Sequence, residues 1–238
     1  MDTNPVTPVK ERKTLTDHMR ANTRFIIDPV VTYLARYRFS PDALTVVGML
    51  SHFLFAWLIA NGHMTWAAVS MFFIAPLDAL DGALARKLGR KQGGFGAFLD
   101  STLDRLAEII LFGGFIVFYM NQEDAIMLGV AYLAITGSIM VSYARARAEA
   151  LGYDCKVGIA SRVERYVVMI GLLFLNLPQV ALIILAATTY ITLGQRMVHV
   201  WRQAYGAQQE AQGVAYAPAP LRCRPGAIPA QRIHHLAL

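Results

Sequence analysis

The chain alternates long apolar runs with short polar or basic breaks. The runs fall at roughly 43–61, 65–88, 96–120, 125–150, 161–177 and 179–203. A helix needs about 20 residues to cross a hydrocarbon core. The pattern therefore predicts an all-α integral membrane protein with six transmembrane helices. Ser40-Pro41-Asp42 is a good start for the first of them, with Ser40 at the N-cap and Pro41 at the first helical position. Ahead of it, Leu15 to Leu34 alternates Arg20, Arg24 and Asp28 with Phe25, Ile26, Ile27, Val30, Val31 and Leu34. That is the pattern of an amphipathic helix lying in the membrane interface. From about Gly206 the composition shifts to Ala, Gln, Pro and Gly, which reads as a poorly ordered tail. The expected organisation is an N-terminal segment over 1–40, a membrane domain over 41–205 and a tail over 206–238.

Composition supports a membrane solvent: 55% of the 238 residues are hydrophobic and 16% are charged, against about 25% charged in soluble proteins. No cleavable leader is expected, because Met1 to Lys13 is polar and no apolar core or cleavage site follows. The basic residues alternate across the runs. Lys10, Arg12, Lys13, Arg20, Arg24, Arg36 and Arg38 precede the first. Arg86, Lys87, Arg90 and Lys91 follow the second, Arg145 to Arg165 bracket the break after the fourth, and Arg196 begins the last group. The intervening turns at 61–65, 121–124 and 176–179 hold no Lys or Arg. By the positive-inside rule both termini and the two long loops face the cytoplasm. The net charge of +6 is thus a topology signal, and it is too dispersed for a nucleic-acid partner. Cys155 and Cys223 offer neither a disulfide framework nor metal-ligand spacing. His52, inside the first run, reads as packed or hydrogen-bonded between helices. Trp66 and Trp201 stand near run ends, as belt residues do, and Gly113, Gly114, Gly129 and Gly137 suit close helix contacts.

The informative residues are acidic. Asp78-x-x-Asp81-Gly82-x-x-Ala85-Arg86 closes the second run, and Gly96-x-x-x-Asp100-x-x-x-Asp104 opens the third. An Asp at mid-bilayer costs about 2.5–3.5 kcal/mol, so four at full depth would cost roughly 10–14 kcal/mol. Spacings of three and four place each pair on one helix face. The topology puts both pairs at the cytoplasmic ends of their helices. Four carboxylates there are enough hard oxygen ligands for two divalent ions, Mg2+ or Mn2+, which bridge protein to substrate phosphates. Small Gly82 and Ala85 leave room for a nucleotide or diphosphate, and Arg86 stands where it could meet one. Asp104, last of the four and deepest in its helix, is the candidate base.

A second basic group comprises Arg145, Arg147, Arg162 and Arg165, accompanied by Glu149 and Glu164. These arginines exceed what two glutamates neutralise, which suits a phosphate-bearing water-soluble substrate. Taken alone, a D-x-x-D pair is commonplace, and buried charge also marks ion pathways in transporters. A membrane prenyltransferase would likewise use paired aspartates and metal, although its DDxxD-like patterns are missing.

Together the acidic motif resembles the signature of the CDP-alcohol phosphatidyltransferases, with a linker between Arg86 and Gly96 one residue longer than usual. The resemblance runs from Pro41 to Trp201. It implies six transmembrane helices in a homodimer, a site open to the cytoplasmic leaflet, and Mg2+ or Mn2+ on Asp78, Asp81, Asp100 and Asp104. It also implies Asp104 as base, with the CDP moiety on Gly82, Arg86, Asp42 and Thr45. Ser142-Tyr143-x-Arg145-Ala146-Arg147-Ala148-Glu149, Arg162-x-Glu164-Arg165 and Gln195-Arg196 resemble the branch that makes phosphatidylinositol phosphate. Positions 145 and 163 depart from it, where Lys and Pro are common. That branch implies a donor of CDP-diacylglycerol or a CDP-ether lipid, and inositol phosphate or a similar acceptor bound by Arg145, Arg147, Arg162, Arg165 and Arg196. Glycerol phosphate or another alcohol is the alternative acceptor.

Overall fold

The computed structural model describes the backbone over residues 28–89 and 94–211, and the side chains there except at 76–79 and 207–211. The expectations for 15–27, Arg90, Lys91 and the tail beyond 211 lie outside the described residues. A first helix covers 28–36 (α1). It is followed by α2 (Pro41–Ala60), α3 (Met64–Ile74), α4 (Pro76–Lys87), α5 (Phe95–Asn121), α6 (Ala125–Ala150), α7 (Arg162–Phe174) and α8 (Pro178–Ala211). No strand occurs among the described residues.

Local chemistry sets these boundaries. Ser40 is extended and Pro41 begins α2, but the Ser40 side chain makes no capping bond. The start therefore rests on proline, whose fixed φ and missing N–H suit the first position. The second apolar run is not one straight helix. It breaks at Ala75, where Pro76 begins α4, because a proline ring clashes with the carbonyl one turn earlier and offers no N–H to it. Asp124 caps α6 by accepting from the Met127 N–H at 3.0 Å. Glu164 secures the start of α7 by accepting from the Ser161 N–H at 2.5 Å. At the other end of the chain α8 carries on past 205 to Ala211.

Six helices close into a ring by pairwise packing: α2 on α5, α5 on α6, α6 on α8, α8 on α7, α7 on α3 and α3 on α2, with α4 against α2. The ring is filled by Phe55, Ile59, Met64, Met71, Phe115, Tyr119, Leu173 and Leu182. Two glycines permit its tightest contacts. A Cβ at Gly114 would lie 2.6 Å from the Ala56 carbonyl oxygen, and one at Gly137 would lie 2.2 Å from Thr189 Oγ1. Among the described residues nothing lies within 4 Å of a Cβ placed at Gly113 or Gly129, so close packing within this chain does not require glycine there.

The outer surface carries many large apolar side chains. Phe73 and Ile126 are 73% and 80% exposed, alongside Phe53, Trp57, Ile183 and Ile191. An apolar exterior of this extent needs hydrocarbon as its solvent. Three described helices are long and apolar enough to cross a bilayer: α2, α6 and the Pro178–Gly206 part of α8. The apolar helix α3 is shorter. The molecule is an all-α membrane protein.

Candidate active site

The first part of the site lies where α2 meets α4. Asp81 is 6% exposed, and its Oδ2 accepts from the Thr45 hydroxyl at 2.6 Å. Thr45 stands one turn beyond Pro41, whose carbonyl is also within reach of the hydroxyl at 3.1 Å. Gly82 follows Asp81, and a Cβ there would lie 3.5 Å from Arg86 Nη1. The exposed guanidinium of Arg86 therefore folds back over the glycine. Asp42, in the first turn of α2, is half-buried.

The second part is a pair of ionic rungs between α5 and α7. Asp104 Oδ2 lies 2.6 Å from Arg162 Nη1 and 3.3 Å from Arg105 Nη1. One turn further, Glu108 Oε1 lies 2.5 Å from Arg165 Nη2, with both side chains 4% exposed. Arg165 also donates to the Ala160 carbonyl at 2.9 Å. Residues four apart on α5 thus face residues three apart on α7, as helix geometry allows. Asp100, a turn before Asp104, is half-buried.

Between these parts a small cavity is lined by Thr45, Gly48, Met49, His52, Leu103, Asp104, Ala107 and Arg162. Thr45 joins the two parts, because it holds Asp81 and also forms the wall next to Asp104. His52 bridges helices as its position suggested, with Nε2 2.5 Å from the Tyr166 hydroxyl.

The remaining arginines stand elsewhere. Arg145 is exposed and pairs with Glu149 at 2.9 Å, and Arg147 is exposed. Arg196 is buried, with Nε donating to the Val157 carbonyl at 3.0 Å and Nη1 to that of Val141. It fastens α6 and the following loop to α8. The thiol of Cys155, buried in that loop, is pushed up by burial, with Arg196 and Arg145 among the charges acting on it.

Of the four aspartates expected to bind metal, the side chain of Asp78 lies outside the described residues. Among the described residues no group of three His, Cys, Asp or Glu gathers closely enough to hold a metal. The donor chemistry still fits a hard divalent ion. Asp81 and Asp104 are buried carboxylates on neighbours of α2, and Asp104 already holds a cationic partner, Arg162. Glu108 and Tyr166 were not singled out from the sequence. The available signal was spacing alone, since Glu108 lies four residues after Asp104 and Tyr166 four after Arg162.

The chain matches the CDP-alcohol phosphatidyltransferase family over residues 38–194, from just before α2 into α8. It belongs to that family and is a membrane phosphatidyltransferase, which sets aside the prenyltransferase and transporter readings. It is 35% identical over 197 residues to the archaetidylinositol phosphate synthase of Methanothermobacter thermautotrophicus, covering 80% of this chain and 96% of that protein. Its fold is similar to that of Mycobacterium tuberculosis phosphatidylinositol phosphate synthase with CDP-DAG bound. The TM-score is 0.69 at 29% identity, covering 74% of this chain and 94% of that one. The same mycobacterial enzyme in complex with manganese and citrate gives a TM-score of 0.68 at 29% identity, covering 73% and 88%.

Proposed function

We propose that this enzyme transfers a phosphatidyl group from CDP-diacylglycerol to inositol phosphate and releases CMP. The observation that carries the reading is the 2.6 Å contact of Asp104 with Arg162, next to the buried Arg165. A carboxylate able to take a proton stands among guanidinium groups suited to a phosphorylated acceptor. The relatives' printed names, and the CDP-DAG and manganese complexes of the mycobacterial enzyme, support the donor, the acceptor and a divalent ion.

In this reading Asp42, Thr45, Gly82 and Arg86 receive the CDP moiety. Arg162 and Arg165 orient the acceptor phosphate and exposed Arg145 and Arg147 add positive charge at its approach, while Arg196 braces α6 against α8. The acceptor oxygen bonds to the lipid-side phosphorus as its proton passes to Asp104. The bond from that phosphorus to the bridging oxygen breaks, and CMP leaves with the electron pair. Asp78, Asp81, Asp100 and Asp104 would hold two ions, Mg2+ or Mn2+. When bound, such ions neutralise the diphosphate and the charge growing on the departing CMP.

The membrane arrangement belongs to the same reading. The spans are α2, α3 with α4, α5, α6, α7 and α8, and α1 lies in the interface. Both termini and the site face the cytoplasm, and the enzyme works as a homodimer. The deciding assay supplies purified protein with Mg2+, CDP-diacylglycerol or its ether analogue, and inositol phosphate, inositol or glycerol phosphate. Mass spectrometry of the lipid should find the phosphatidylinositol phosphate product with one CMP per lipid, and EDTA should abolish both. A glycerol phosphate product in its place would replace the acceptor, and undiminished synthesis in EDTA would remove the metal.

A further inference from the structure

A histidine that lines the reaction cavity is hydrogen-bonded to a tyrosine behind it, and the geometry places a proton on one of its ring nitrogens. His52 Nδ1 lies 2.8 Å from the Gly48 carbonyl oxygen. A carbonyl only accepts, so Nδ1 carries the proton. In a neutral imidazole Nε2 is then the acceptor, and the Tyr166 hydroxyl 2.5 Å away donates to it. The two rings meet edge-on with centroids 6.2 Å apart, and Phe55 packs edge-on against the other side of His52 at 5.1 Å. Tyr166 is therefore fixed at its tip by α2.

The face of that fixed ring carries the guanidinium of Arg162, one turn earlier on α7, with Cζ 5.6 Å from the ring centroid. Arg162 in turn holds Asp104 on α5. A connected series thus runs from the Gly48 carbonyl through His52, Tyr166 and Arg162 to the proposed base, crossing three helices. His52 also lines the same cavity as Asp104 and Arg162. Two polar side chains inside a membrane bundle carry a desolvation cost that apolar residues of similar size would avoid. The placement of His52 at the cavity, and of Tyr166 against Arg162, gives that cost a use.

We propose that His52 and Tyr166 are positioning residues: their hydrogen bond holds the Tyr166 ring where it seats Arg162, which keeps the Asp104 carboxylate aimed at the acceptor. The inference rests on the reading of Asp104 as base. A cation over an aromatic face is held by attraction to the ring's negative face. Freeing the hydroxyl lets the ring turn and loosens the seat without removing any group that touches substrate.

The test compares His52→Ala, His52→Gln, Tyr166→Phe and the His52→Ala/Tyr166→Phe double variant in the purified enzyme, measuring kcat, both KM values and Tm. His52→Ala and Tyr166→Phe should each lower kcat about tenfold, corresponding to roughly 1.4 kcal/mol, with the KM for CDP-diacylglycerol within about twofold of wild type. The double variant should be no worse than either single one, since both remove the same bond. Glutamine can present an acceptor near the Nε2 position, so His52→Gln should recover most of the loss. Unchanged kcat in both single variants overturns the proposal. So does a loss that follows Tm alone, or a His52→Gln variant as impaired as His52→Ala. Asp104→Asn, assayed in parallel, separates this inference from the reading beneath it. Full turnover there removes the base assignment, whereas loss of turnover there with unimpaired His52 and Tyr166 variants removes only the positioning role.

Discussion

The two ends of α5 are built on opposite rules. Towards Tyr119 the helix is held by Leu111, Phe112, Phe115 and Tyr119, all buried among aromatic and aliphatic neighbours. Towards Phe95 it is held by Asp104 and Glu108, each paired with an arginine of α7. Lipid tails are as apolar as leucine, so the first end gains from close packing and small residues and not from a hydrophobic drive. It can accept any neighbour of suitable shape. The second end names its partner, because a carboxylate buried without its arginine is costly. The apolar end builds the bundle, and the ionic end ties α5 across the ring to α7 and leaves charged groups poised at a cavity.

The largest expected effect comes from breaking the inner rung. Glu108→Ala leaves Arg165 buried without its charge partner and should destabilise the protein by about 3–5 kcal/mol, measured as a lowered unfolding midpoint in detergent. Replacing both partners, as Glu108→Leu with Arg165→Met, should restore most of that stability while depriving the site of a guanidinium. A double variant as unstable as Glu108→Ala would show that the rung contributes more than mutual neutralisation.

At the apolar end the effect should be smaller and purely steric. Gly114→Ala would force a Cβ against the backbone of Ala56, which cannot rotate away, and should cost about 1–3 kcal/mol. Gly137→Ala meets the Thr189 side chain and should cost less, since a side chain can yield. Gly113→Ala, with open space around it, should leave the unfolding midpoint unchanged or slightly raised. Equal losses at Gly113 and Gly114 would contradict the packing described.

The smallest effect concerns Cys155. Burial raises its thiol pKa, and the thiolate is the reactive form. A Cys223→Ser variant should therefore resist iodoacetamide at neutral pH. Labelling should increase only as the pH climbs beyond the usual thiol range or as the protein unfolds.

Much of this was legible in the sequence, for reasons that also explain the rest. The apolar runs gave the helices because hydrocarbon demands long uninterrupted apolar stretches. Only Pro76 divided a run that hydropathy had joined, and hydropathy is blind to a missing N–H. Asp104 stands out because charge in an apolar setting is expensive, and Arg162 because it belongs to a group of arginines in excess of the nearby glutamates. Glu108 was overlooked because its partner, Arg165, lies 57 residues away, and no spacing within α5 announces α7. His52 and Tyr166 are 114 residues apart, and no periodicity within either helix says which faces meet. The glycines show the same limit, since Gly113 and Gly114 are adjacent in sequence and only one touches α2.

The central claim is that the ionic end of α5 is where phosphatidyl transfer occurs, with Asp104 taking the acceptor's proton. Its most direct test is the rate of CMP release at saturating CDP-diacylglycerol and inositol phosphate, compared between wild type and Asp104→Asn at matched Tm. Catalysis by a positioned base is worth about 10²–10⁴-fold, so release by the variant should fall at least a hundredfold while the fold persists. Release within a few-fold of wild type, by a folded variant, would contradict the account.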